Sequence, residues 1–212
     1  LDSGTVRIGS FTSVAVHWLP PVLKEFQHDY PKVNIRLLNG DYHDVEQWLS
    51  EGGVDLGFIA LPTRLKGRIT ALLEDRLLAV VPVDHRLASL PRFPIKEVEN
   101  EPFISLLETS DHDARRALEA AGVKPNIRYT TKDDYAIIAM VEQGLGVSIM
   151  PELLLSGRSD NVRIMELTPP ASRTIGLCLP DADRAGPATA RFAQCVSDWV
   201  RERYSRIQNT TS

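Results

Sequence analysis

At 212 residues the chain is long enough for one large domain or for two lobes of about 100 residues each. Apolar residues make up 43% and charged residues 25%, an ordinary globular composition that argues against a disordered or fibrous chain and removes the need for a disulfide or metal staple. With 24 Lys and Arg against 28 Asp and Glu the net charge is -4, the wrong sign for a surface that grips DNA phosphates. No apolar run approaches the ~18–20 residues of a membrane span.

Val6 and Ile8 alternate around Arg7 as a strand that ends at Gly9 and Ser10. Leu19, Val22, Leu23 and Phe26 recur at helical spacing until Tyr30-Pro31, with Pro20 and Pro21 suited to a first turn. Val33, Ile35 and Leu37 alternate in a second strand. Val45, Trp48 and Leu49 give a short helix closed by Gly52-Gly53, and residues 54–60 read as a third strand. That order requires parallel pairing and right-handed crossovers. It recurs downstream as a strand at Phe103–Leu106, a helix over Ala114–Ala121 and a strand around Ile127 and Tyr129. A helix carrying Ile137, Ile138 and Val141 and a strand at Val147–Met150 complete it. Leu77–Val81 is a strand-like bridge between the halves. After Pro169-Pro170 comes a strand at Arg173–Leu179, then an amphipathic helix with Phe192, Cys195, Val196, Trp199 and Val200 on its apolar face. The fold class expected is α/β with two similar lobes.

The two cysteines, Cys178 and Cys195, show no CxxC or Cys/His spacing, so buried free thiols are expected rather than zinc. A reducing, cytoplasmic compartment fits them. The chain opens on Leu1 with no basic-then-apolar leader, as expected of a trimmed fragment or a processed chain.

In parallel sheets, ligands bind beyond the carboxyl ends of strands, against the helices that follow. Here those positions hold Ser10, Thr12 and Ser13; then Gly40, Asp41, Tyr42 and His43; then Thr109, Ser110 and Asp111; then Thr130, Thr131 and Asp133. Taken singly, Ser13, Ser110 and Asp133 read as helix caps. Taken together on two lobes, they outline a polar cleft, although Asp41, Asp44, Asp111 and Asp113 would repel a bare anion. No GxSxG elbow, Walker loop or HExxH helix is present, and Gly144-Leu145-Gly146 precedes a strand where a dinucleotide fingerprint must follow one. The histidines are scattered, with His17 and His43 nearest the proposed cleft. No enzyme activity, cofactor or metal is expected.

Several segments, in order, resemble the effector-binding domain of LysR-type transcriptional regulators over essentially the whole chain. They are Val6-Arg7-Ile8-Gly9; Leu19-Pro20 with Phe26 and Pro31; Trp48-Leu49 with Gly53-Val54-Asp55-Leu56-Gly57; and Val81-Pro82 with His85-Arg86-Leu87-Ala88. Glu101-Pro102-Phe103-Ile104 and the run from Val141 through Gly144-Leu145-Gly146 to Met150-Pro151 complete the set. The resemblance implies two Rossmann-like lobes joined by two crossing strands, similar to periplasmic binding proteins. Residues 1–76 with 173–212 would form the first lobe and 77–172 the second. It further implies a small-molecule effector held between the lobes and a homodimer or higher homo-oligomer formed through the first long helix and the strand Val33–Leu38. DNA would be engaged only through an N-terminal winged helix-turn-helix that these residues do not include. No membrane partner is implied. By position Ser13 corresponds to the family's effector-touching serine or threonine. The effector-binding set expected is Thr12, Ser13, Asp41, Tyr42, His43, Thr109, Ser110, Thr131 and Asp133. A solute-binding protein of a transport system has the same architecture and is the competing reading.

Overall fold

Strand alternation and helical crossovers build each half of the chain. The computed structural model describes residues 3–107, 113–158 and 161–210, the last five as backbone alone. It divides into two units, Leu1–Glu74 with Thr174–Ser212, and Asp75–Arg173.

In the first unit β1 (Gly4–Ser10) lies between β2 (Val33–Asn39) and β3 (Leu56–Leu61) and is parallel to both. Ile8 pairs with Leu37 on one side and with Leu56 on the other. α1 (Thr12–His17) and α2 (Leu19–Asp29) return the chain from β1, and α3 (Tyr42–Glu51) returns it from β2. The two helices after β1 are separate because Pro20 and Pro21 lack the N–H groups that would continue α1, yet fit the first turn of α2. Two long strands, β4 (Arg68–Pro82) and β9 (Val162–Leu179), carry the chain into the second unit and back. The end of β9 pairs antiparallel with β3, Gly57 opposite Cys178, and α7 (Pro187–Thr210) closes the unit. Phe26 of α2 meets Phe192 of α7 edge to face at 5.2 Å, and the Trp18 indole N–H donates to the Tyr204 hydroxyl at 2.9 Å. A second apolar cluster holds Val45 and Leu49 of α3 with Val54, Ile59 and Cys178.

In the second unit β4 pairs antiparallel with β8 (Ser148–Pro151), Leu77 opposite Pro151 and Val80 opposite Ser148. β5 (Phe93–Pro94) adds to β9, and β6 (Pro102–Leu106) pairs in parallel with β7 (Asn126–Thr131). α4 (Asp113–Ala120), α5 (Asp134–Glu142) and the single turn α6 (Glu152–Leu155) cover them. The apolar run Leu77–Val81 is continuous because both faces are covered. Leu77, Ala79 and Val81 enter one core cluster with Phe93, Phe103 and Leu118, whereas Leu78 and Val80 enter another with Ile104, Ile137 and Leu154. Gly146 is a close-approach glycine, not part of a phosphate loop: a Cβ there would lie 2.4 Å from the Pro102 carbonyl oxygen.

Local readings are corrected at several points. Residues 169 and 170 do not end a strand; β9 runs through both prolines, which fall between the residues paired with β5 and those paired with β3. Leu37 does not follow Val33 into the core but is 49% exposed on β2, which among the described residues has a partner on one side only. Cys178 is buried as expected, whereas Cys195 is only half-buried. The strand at Val147–Met150 joins β4 antiparallel, so the second unit is not all-parallel.

Candidate functional site

The carboxyl ends of β1 and β2 bring the first set of candidate residues to one rim. The Gly40 amide donates to the Ser10 carbonyl at 3.0 Å, and the Phe11 and Tyr42 rings meet edge to face at 4.9 Å. Thr12 and Ser13 at the start of α1 therefore neighbour Asp41, Tyr42 and His43 at the start of α3.

Ser13 is 3% exposed and lies inside α1, whose N-cap is Phe11 with no side-chain cap bond, so the capping reading of Ser13 is corrected. Asp41 is a true cap. Its carboxylate accepts from the Asp44 amide at 2.8 Å, and the Asp44 carboxylate accepts from the Asp41 amide at 3.0 Å. Only glycine permits this closure, because a Cβ on Gly40 would lie 2.6 Å from Asp44 and 2.8 Å from Trp48. Two carboxylates thus already offset the positive end of α3, which disfavours a further anion at that point. Tyr42 is half-buried and His43 exposed. Two polar atoms on this segment, Ser10 Oγ at the end of β1 and His17 Nε2 at the end of α1, are buried and have no hydrogen-bond partner among the described residues.

In the second unit Asp133 caps α5, accepting from the amides of Tyr135 at 2.9 Å and Ala136 at 3.4 Å. Thr131 Oγ1 accepts from the Asp133 amide at 3.2 Å, and the Thr131 carbonyl accepts from the Leu107 amide at 3.1 Å. The capping reading therefore describes the observed bonds of Asp133. Thr109, Ser110 and Asp111 lie outside the described residues.

The remaining motif residues hold the fold together. The Arg7 guanidinium and its amide both bind Asp55, at 2.9 and 2.8 Å. Burial pushes the Asp55 carboxyl up, but the hydrogen bonds from Arg7 outweigh it and the net shift is downward. His85 Nδ1 accepts from the Leu87 amide at 3.1 Å, and Nε2 lies 3.1 Å from Glu101 without the alignment of a hydrogen bond. Arg86 donates to Glu101 at 2.9 Å and also binds Glu97. The His85–Ala88 turn is thereby fastened to the segment that leads into β6. Sequence reading missed a buried ion pair, Asp75 with Arg173; its only signal was a charge beside each of two apolar strand runs. Among the described residues no group of three or more His, Cys, Asp or Glu side chains is placed to hold a metal, and no helix is long and apolar enough to cross a membrane.

A two-lobed α/β chain with two crossing strands and polar groups at its strand ends defines the periplasmic-binding-protein-like fold class. The model of the LysR substrate binding domain matches residues 1–201, and the chain belongs to that family, whose domains are regulatory rather than catalytic. This membership favours the regulator over the transport protein. The chain is 31% identical over 209 residues to the probable HTH-type transcriptional regulator LrrA of Synechococcus elongatus, covering 95% of this chain and 69% of that protein. Among solved structures, the effector binding domain of QuiR in complex with shikimate superposes with a TM-score of 0.85 at 19% identity, covering 95% of this chain and 99% of that one. The CcmR regulatory domain of Synechocystis PCC6803 in complex with 2-PG superposes with a TM-score of 0.86 at 17% identity, covering 94% and 98%. At those identities the two structures establish the fold.

Proposed function

We propose that this chain is the sensing domain of a LysR-type transcription regulator that binds a small polar metabolite. The contacts assigned are Thr12, Ser13, Asp41, Tyr42 and His43 in the first lobe and Thr109, Ser110, Thr131 and Asp133 in the second. Occupancy would alter promoter binding by a winged helix-turn-helix N-terminal to this domain, through the packing of subunits. The complexes of QuiR with shikimate and CcmR with 2-PG support a small-molecule effector. The observation that carries the reading is Ser13: a buried hydroxyl at the carboxyl end of a parallel strand, inside a helix that it does not cap.

The test is Ser13→Ala. Shikimate and a panel of small hydroxy acids and phosphorylated acids are screened by melting-temperature shift, and compounds that stabilise the wild type are titrated calorimetrically. Loss of a buried hydrogen-bond partner is expected to weaken binding by about 1–3 kcal/mol, roughly 5- to 150-fold. Unchanged affinity would remove Ser13 from the site.

A further inference from the structure

β4 enters the second unit at Asp75 and β9 leaves it at Arg173. These two boundary residues are an ion pair, each 4% exposed, with Arg173 Nε donating to Asp75 Oδ2 at 2.8 Å. The other carboxylate oxygen, Oδ1, accepts from the Leu153 amide in the first turn of α6 at 3.0 Å. α6 has only four residues, and its own N-cap, Pro151, contributes no side-chain bond. Asp75 therefore supplies from a neighbouring strand the cap that the local sequence lacks. The antiparallel pairing of Leu77 with Pro151 places it there, since Asp75 is two residues before Leu77 on β4 and on the same face.

The next residue, Arg76, faces the other way and grips the next position. Its guanidinium donates to both oxygens of Glu152 at 2.8 and 3.0 Å and to Glu166 of β9 at 2.7 Å. Consecutive residues of β4 thus hold consecutive residues of α6, and each also holds β9.

A buried ion pair is a poor source of net stability. Desolvating both charges offsets most of their attraction, and well-packed apolar residues of similar volume often do as well or better. Burial raises the Asp75 pKa even beside the Arg173 guanidinium, the mark of that cost. What a charge pair supplies that an apolar pair does not is direction. We propose that Asp75 and Arg173 form a clasp that registers β4, β9 and α6 as one piece at the boundary of the second unit, and that its role is placement rather than stability.

The test separates charge from cap in this chain. Asp75→Asn keeps an acceptor for Leu153 but removes the carboxylate charge facing Arg173, and Arg173→Met removes the guanidinium beside Asp75. Each is expected to lower the melting temperature by roughly 10 °C. In Asp75→Leu with Arg173→Met both charges of the pair are gone, and most of the lost melting temperature should return. In that double variant, hydrogen exchange at Leu153–Ser156 should nonetheless accelerate by at least about 10-fold over the wild type, while Asp75→Asn keeps the slow exchange. A double variant as unstable as the worse single one would show that the pair stabilises the fold. Wild-type exchange rates in the double variant would show that it does not place α6. Either result overturns the proposal.

Discussion

Cys178 shows how burial sets the chemistry of a side chain. Desolvation pushes its thiol from 9.0 up to about 11, with a smaller contribution from Glu46. The thiolate is the reactive form, so a rise of that size leaves about 100-fold less of it at neutral pH. Cys195 on α7 is also raised, first by burial, but is only half-buried. Iodoacetamide at about pH 8 is therefore expected to modify Cys195 in the folded protein well before Cys178. Cys178 should react at an ordinary rate only after unfolding. Peptide mass spectrometry over a time course checks this, and equal labelling of both thiols in the native state would contradict it. Ser13 belongs to the same scale, since its identity as a serine says nothing until its burial and its place inside α1 are known.

Among the elements, β2 has the clearest consequence. Among the described residues it lies at the edge of its sheet, paired only with β1, and exposes Leu37 beside Arg36. An open, partly apolar edge is a site for pairing with another chain unless charge or cover blocks it. We propose that β2 and α2 form the surface through which the domain self-associates. Sedimentation equilibrium at tens of micromolar, the order of magnitude of a weak interface, should show a dimer for the wild type. It should show a monomer of unchanged melting temperature for Leu37→Asp. A wild-type monomer, or an unaffected dimer in the variant, would move the interface elsewhere.

Across the whole molecule, several carboxylates pull the pH dependence of stability in one direction. Asp55 is held below its ordinary pKa by Arg7 against the opposing effect of burial; Glu97 is held low by Arg86, and Glu166 by Arg76 and Arg92. Each binds its proton less tightly when folded than when unfolded. Their contribution is therefore present above the ordinary carboxylate range and is lost as pH falls through the lowered values. Asp75 has the opposite sign: its raised pKa makes its contribution less favourable as pH rises from the ordinary value to its own. Because lowered carboxylates outnumber the raised one among the described residues, the melting temperature should fall between about pH 6 and about pH 3, and Arg7→Met should flatten part of that fall. A melting temperature that stays constant over this range would contradict the assignment.

The sequence by itself determined the element order, the parallel pairing around β1 and the family. Each rests on local signals: alternation in Val6 and Ile8, helical spacing from Leu19 to Phe26, glycine stops at Gly52 and Gly144, and an ordered set of short motifs. It also brought Thr12, Ser13 and Asp41–His43 to strand ends, because the end of a parallel strand is legible from where alternation stops. Only the tertiary structure decided which of those residues cap a helix. Whether Ser13 or Asp41 caps its helix depends on where the first helical amide falls, and a shift of one or two residues reverses the answer. The exposure of Leu37 depends on β2 having no second neighbour among the described residues, which no pattern within β2 records. The Asp75–Arg173 clasp was hidden for the same reason. Two charges 98 positions apart pair only because β4 and β9 fold back together, and a charged residue in an apolar strand has no local sign of the partner that makes its burial tolerable.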